Sequence, residues 1–135
     1  MGNVYRQLYA VKDEVTHTDS VTLDSSDSNK EHNVATDAKV FTLPAISASN
    51  LGETFTFRNT GADGNNTVTI SPASTDAIHG TIANAAADSV ASGALDKDLV
   101  NTKATANKGD YVTLTAVSLT AWYVTGGVGI WASEA

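Results

Sequence analysis

The chain has 135 residues, 17% of them charged, with a net charge of −7 and no cysteine. The absence of cysteine excludes a disulfide framework, a thiolate metal site and thiol redox chemistry. An acidic chain whose few Lys and Arg are scattered is a poor match for a phosphate backbone, so nucleic-acid binding is not expected. No apolar run reaches the ~20 residues of a membrane span, and a chain of this length can bury one hydrophobic core without staples.

The first stretch, residues 1–18, reads as an N-terminal arm or first strand. Met1–Arg6 lacks the basic-then-apolar layout of a signal peptide, and Arg6 stands where a myristoylation motif has Ser or Thr. Val4–Val11 carries two aromatic and several aliphatic residues before any turn signal. Ordering a terminal segment costs roughly 1–2 kcal/mol of backbone entropy per residue, so it needs either a neighbouring strand or a partner surface. Val4, Tyr5, Arg6, Leu8, Tyr9 and Val11 are therefore the candidate docking residues.

Residues 19–126 read as a single all-β domain. Ser20–Leu23 and Lys39–Leu43 have the β-branched and aromatic content of strands, and Pro44 ends the second because it cannot donate a ladder hydrogen bond. Thr54–Asn59 and Thr67–Ser71 alternate with period two. With Asp63-Gly64 between them, the stretch from Glu53 to Ile70 is expected to be a β-hairpin with Phe55, Phe57, Val68 and Ile70 inward. Ile82–Leu95 is rich in Ala but broken by Gly93 and Ser/Asp, and is expected to be an irregular loop rather than a helix. A β-like pattern resumes over Asp98–Thr102. Lys108-Gly109-Asp110 is a turn signal, after which Asp110–Ala116 and Ala121–Thr125 form a second pair with Val112, Leu114, Ala116, Trp122 and Val124 inward. Tyr111 and Tyr123 then fall on the outer face, and outward aromatics on neighbouring strands mark a protein interface or ordinary cross-strand pairing. Residues 127–135 read as a C-terminal tail in which a glycine hinge precedes an apolar tip, Ile130 and Trp131. Tyr111, Tyr123, Ile130 and Trp131 are the candidate oligomer-interface residues.

The residues that carry chemistry do not assemble into a motif. His17, His32 and His79 stand apart, with no HxH or HExxH spacing, and each is expected in a surface or turn position. There is no G-x-S-x-G elbow, and Gly126-Gly127-Val128-Gly129 lacks the Lys and Ser of a phosphate-cradling loop. Asp24–Asn29 superficially follows a calcium loop without its central glycine or distal Glu. It reads, like Asp63–Asn66, as a turn whose side chains bond backbone groups. The expectation is a non-enzymatic structural or binding module with no catalytic, metal or cofactor site.

The order of the strand segments is more informative than any one of them. Val21-Thr22-Leu23 and Ser25–Lys30 are followed by Phe41-Thr42-Leu43-Pro44-Ala45, then by Gly52 with Thr54–Gly61. Val68-Thr69-Ile70, Ile78-His79-Gly80, Lys108–Leu114 and Trp122-Tyr123-Val124 complete the series. From Val21 to Gly126 this succession resembles the head decoration, or capsid cement, proteins of tailed bacteriophages. The resemblance implies a single antiparallel, jelly-roll-like β-sandwich. It also implies a homotrimer on the outer surface of the virion head that clamps neighbouring major capsid subunits. Related modules occur in phage fibres, so the rival expectation is a trimeric carbohydrate- or receptor-binding fibre module. The arm at residues 1–18 and the loop at Ile82–Leu95 lie outside or match poorly.

Overall fold

The computed structural model describes residues 13–85 and 87–134. They contain thirteen strands in chain order. The first six are β1 (Glu14–His17), β2 (Val21–Thr22), β3 (Glu31–Val34), β4 (Lys39–Thr42), β5 (Thr54–Asn59) and β6 (Val68–Ser71). Then come β7 (Ala77–His79), β8 (Thr81–Ile82), β9 (Ser89–Val90) and β10 (Leu99–Asn101). The last three are β11 (Tyr111–Ser118), β12 (Ala121–Val128) and β13 (Ala132–Ser133). The chain is all-β; among the described residues the only helical elements are the single 3-10 turns Ser25–Asp27 and Lys103–Thr105.

Three sheets result. One has six strands in the order β1-β3-β5-β11-β12-β7, one has five in the order β13-β10-β6-β4-β2, and β8-β9 form a two-stranded ladder. Successive strands of the N-terminal half fall alternately in the first two sheets, so the chain winds between them. β1, β3 and β5 lie parallel and side by side in one sheet, as do β2, β4 and β6 in the other. The C-terminal half is built differently. β11 and β12 form an antiparallel hairpin with Leu114 opposite Val124 and Ala116 opposite Trp122, and β11 lies antiparallel to β5. β10 and β13 extend the second sheet, β10 antiparallel to β6 and β13 antiparallel to β10.

Alternation explains the core. Phe55 and Phe57 of β5, Val112 and Leu114 of β11 and Trp122 of β12 join Phe41 of β4 and Val68 and Ile70 of β6 in one hydrophobic cluster. All are fully buried, and side chains of this size each contribute about 1.5–3 kcal/mol by leaving water. Their rings meet at defined angles: Phe55 edge-on to Trp122 with centroids 5.5 Å apart, and Phe41 tilted on Phe57 at 5.3 Å. The expected inward residues are therefore inward, with Val124 half-buried against the same cluster.

The expected pairing of Glu53–Ile70 is not what the chain does. β5 and β6 belong to different sheets, so the segment is a corner crossing between layers and not a hairpin. The same alternation serves both, because Phe55, Phe57, Val68 and Ile70 point into the core in either arrangement. Gly64 does take the positive φ expected of it, +69°, but its N–H bonds to the Ala106 carbonyl at 2.8 Å, in the loop before β11. A second correction concerns direction. Parallel pairs join β1–β3, β3–β5, β2–β4, β4–β6 and β7–β12, so the sheets are mixed where a wholly antiparallel arrangement was expected. Winding between layers brings each strand back in the direction of its predecessor, and parallel neighbours follow.

The segment boundaries shift accordingly. β1 lies within the expected arm, β12 runs two residues past Thr125–Gly126 to Val128, and the expected tail contributes β13 to the five-stranded sheet. The described residues of Ile82–Leu95 contain no helix; Thr81–Ile82 and Ser89–Val90 form the small ladder. The following residues seal the edge strand β7, Ala91 and Gly93 donating to the carbonyls of Gly80 and Ile78, each at 2.9 Å.

Candidate contact surfaces and buried polar clusters

The outer face of the six-stranded sheet is polar and laced together. Thr56 and Thr113 join hydroxyls at 2.9 Å, Thr54 and Thr115 at 3.0 Å, and Thr115 and Thr125 at 3.3 Å. At one end of this threonine ladder the Arg58 guanidinium lies over the Tyr111 ring, 4.6 Å from its centroid, and pairs with Glu31. At the other end Tyr123 stacks on His79 with centroids 5.3 Å apart. The two expected outward tyrosines thus differ. Tyr111 is half-buried beneath Arg58, whereas Tyr123 is 40% exposed and leaves a face for contact.

Aliphatic side chains cluster at two further places. The β11–β12 turn presents Val117 and Leu119, 56% and 55% exposed. The loop bearing Leu51 is tied to its base by Gly52 N–H donating to the Ala116 carbonyl. Beside the β8–β9 ladder, Val90, Val128 and Ile130 are 61%, 51% and 45% exposed. Ile130 and Val90 border a groove of about 520 Å³ whose other walls include Asn84, Asp88, Asn107 and Ala132.

Trp131 corrects the expectation of an apolar tip. It is only 3% exposed; its indole N–H donates to the Val128 carbonyl at 3.2 Å and its backbone N–H to Ser89 Oγ at 2.9 Å. The chain uses this ring to fasten its own C-terminus, so an oligomer contact has Ile130 to work with and not Trp131. The candidate docking residues Val4, Tyr5, Arg6, Leu8, Tyr9 and Val11 lie outside the described residues.

Two polar clusters, one buried and one partly buried, escaped the sequence reading. In the first, Asn66 Nδ2 donates to Asn59 Oδ1 at 3.1 Å, Asn59 Nδ2 to Asn101 Oδ1 at 2.8 Å, and Asn101 Nδ2 to Asp110 Oδ2 at 3.1 Å. All four side chains are buried. Asn101 also reaches the Ile130 carbonyl, and Asp110 accepts from the Asn107 N–H. The cluster joins the corner after β5, the end of β10, the turn before β11 and the C-terminal segment. Its outward sign in the sequence is an Asn at the last position of β5 and of β10, where strands end in buried corners.

In the second cluster, His17 Nε2 lies 2.8 Å from His32 Nδ1, and His32 Nε2 lies 2.9 Å from the Asp27 carbonyl. The rings stack with centroids 5.1 Å apart, and Phe41 meets His17 edge-on at the same distance. The expected surface position of His32 is overturned, since it is fully buried, while His17 is half-buried on the edge strand; the parallel register sets Thr16 beside Asn33 and His17 beside Val34, bringing His17 against His32. Burial, followed by the neighbouring His32, holds the His17 pKa below its ordinary value, opposed by Asp27.

The acidic turns act as expected. Asp24 accepts from the Ser26 N–H at 2.9 Å and from its hydroxyl, while Asp27 accepts from the Asp24 N–H at 3.0 Å. The Ser26 hydroxyl and N–H hold the Asp24 carboxyl below its usual range. Asp63 accepts from the Lys108 N–H at 2.8 Å, tying two corners together. Among the described residues no three His, Cys, Asp or Glu side chains converge as metal ligands. No helix of the described chain is long and apolar enough to cross a membrane. No protein-family model matches the chain, and no curated protein matches it.

Proposed function

We propose that this protein is a phage capsid decoration protein, a cofactor-free trimer that binds the outer surface of the head and stabilises contacts between major capsid subunits. The observation that carries the reading is the display of Val117 and Leu119 on a turn of a firmly packed hairpin, each more than half exposed. Aliphatic residues held clear of the core by rigid strands are suited to contact with another protein. The segment order from Val21 to Gly126 supports the same reading, as does a sheet face whose polar groups are already paired to one another. The two large sheets share one hydrophobic cluster, which supports a two-layered sandwich related to a jelly roll, with parallel pairs replacing part of the antiparallel pattern. In this reading Val4–Val11 docks on the capsid, and trimerisation multiplies three weak attachments into one strong one.

The test is to mix the purified chain with undecorated heads. Saturable occupancy at threefold positions, with raised resistance of the heads to heat or chelation, supports the proposal; heads that neither bind nor gain resistance overturn it. The groove of about 520 Å³ beside Ile130 favours a second reading, a glycan- or receptor-binding fibre module, because its size is that of a small-ligand site. Glycan binding by the isolated chain, with no affinity for heads, would select it.

A further inference from the structure

We propose, resting on the capsid reading, that one end of the six-stranded sheet docks on a major capsid subunit through an aliphatic rim and an acidic hollow beside it. Leu51 and Leu95 join Val117 and Leu119 in the rim, and Glu53 lines the hollow. The surface that fits is an apolar patch flanked by a Lys or Arg, whose side chain enters the hollow.

Strand register gathers the aliphatic side chains. β5, β12 and β7 begin at this end of the sheet and β11 finishes there. Gly52 N–H donates to the Ala116 carbonyl at 2.8 Å, which sets Leu51 beside Val117. Leu119 follows in the turn, where the Thr120 carbonyl accepts from the Ala77 N–H at 2.8 Å. Ala77 in turn bridges to Leu95. Leu51 and Leu95 are 46% and 57% exposed, like Val117 and Leu119 between them. Neighbouring strands lie about 4.8 Å apart, so the rim is roughly 20 Å long. It carries four of the eight large apolar side chains that the described residues expose. Scattered singly such residues need no explanation, but gathered on one rim they mark a contact surface.

Next to Leu51 lies a hollow of about 350 Å³, walled by Ser28 and Asn29 ahead of β3 and by Leu51, Glu53 and Thr54 at the start of β5. No Lys or Arg lines it. Glu53 brings a negative charge to its wall, and Oε2 of that carboxylate is buried with no hydrogen-bond partner among the described residues. A carboxylate only accepts, so an oxygen left in this way suits a cationic N–H donor. The chain also enters β1 on this side. Asp13, the first described residue, gives its carbonyl to the Glu31 N–H at 2.9 Å, and β1, β3 and β5 run parallel from here. Val4–Val11, the segment assigned to the capsid, therefore joins the fold beside the rim and the hollow. A capsid surface met by that segment meets the aliphatic side chains and the unpaired carboxylate too, and an apolar patch with a cation at its edge complements both.

Titrating undecorated heads with the full chain tests this, Leu51→Ser with Leu95→Ser being set against Val128→Ser at the far end of β12. The leucine pair should weaken head binding about tenfold or more, with the denaturation midpoint and the oligomeric mass of the free chain unchanged. Val128→Ser should bind as the unmodified chain does. Glu53→Gln should weaken binding several-fold and flatten its dependence on salt. Should a variant unfold, hydrogen exchange of the unmodified chain on heads decides, with slowing required around Leu51, Leu95 and Leu119. Undiminished binding by the leucine pair, a salt dependence that survives Glu53→Gln in full, or protection confined to the side of Val90 and Ile130 overturns the proposal and leaves the capsid reading standing. A leucine pair that breaks an oligomer of the free chain overturns it as well, because a second copy then covers the rim. An unmodified chain that ignores heads removes the capsid reading and this docking surface with it.

Discussion

The two halves of the molecule reach the same core by opposite routes. In the C-terminal half β11 and β12 are neighbours in sequence and in space, joined by the short turn Leu119-Thr120. In the N-terminal half no two consecutive strands pair; each of β1 to β6 finds its neighbour two strands away, after the chain has crossed to the other sheet and back. A local hairpin needs only a turn, whereas each crossing must carry backbone through a corner where polar groups leave solvent. The buried Asn59–Asn66–Asn101–Asp110 cluster sits at such corners and supplies the partners that those groups require.

Five variants probe this contrast, beginning with the largest effect. Trp122→Ala in the hairpin and Phe41→Ala in the winding half should each lower unfolding free energy by about 3–5 kcal/mol in chemical denaturation, since both rings are fully buried. Equal losses with a single transition would mark one shared core; a much smaller loss for Phe41→Ala would mean that the halves are energetically separate. Next, Asn101→Ala leaves Asn59 Nδ2 and Asp110 Oδ2 each short of a partner and should cost about 2–3 kcal/mol. Thr115→Ala, on the outer face of the hairpin, should cost less than about 1 kcal/mol. A reversal of that order would remove the corners as the place where the winding half is held. The smallest effect belongs to Val117→Ser with Leu119→Ser, which should alter stability by no more than about 0.5 kcal/mol. If the proposed function holds, the same pair should lower occupancy on heads; unchanged occupancy would take this turn out of the contact surface.

The hairpin was legible in the sequence because alternation and turn chemistry there describe neighbouring partners. Val112, Leu114, Ala116 and Trp122 point where their spacing says they should. The winding half was legible only in part. Phe55, Phe57, Val68 and Ile70 were correctly assigned inward, but period two says which face a side chain takes and not which sheet the strand joins. Asp63-Gly64 signalled a turn and could not say whether the turn closes a hairpin or crosses a core. Trp131 followed a glycine-rich hinge and looked detachable; its hydrogen-bond partners, Val128 at the end of β12 and Ser89 of β9, are brought together by the fold, which no spacing announces. The His17–His32 contact escaped notice for a related reason. It depends on a parallel register, and two lone histidines in separate segments carry no sign of it.

The winding also sets an order in time. β5 is the junction strand, parallel to β3 on one side and antiparallel to β11 on the other. Within the six-stranded sheet the β1–β3 pair reaches the hairpin only through β5. In the other sheet the β2–β4 pair reaches β10 only through β6. Local contacts form fast and those that close long loops form slowly, so the β11–β12 hairpin closes early, whereas the β5–β11 pairing, with Arg58 beside Tyr111, closes a much longer loop than any pairing within the winding half. Until that long loop closes, the edge of β5 that will meet β11 stays open, and an unpaired edge of this kind is what an incompletely folded chain offers to other chains.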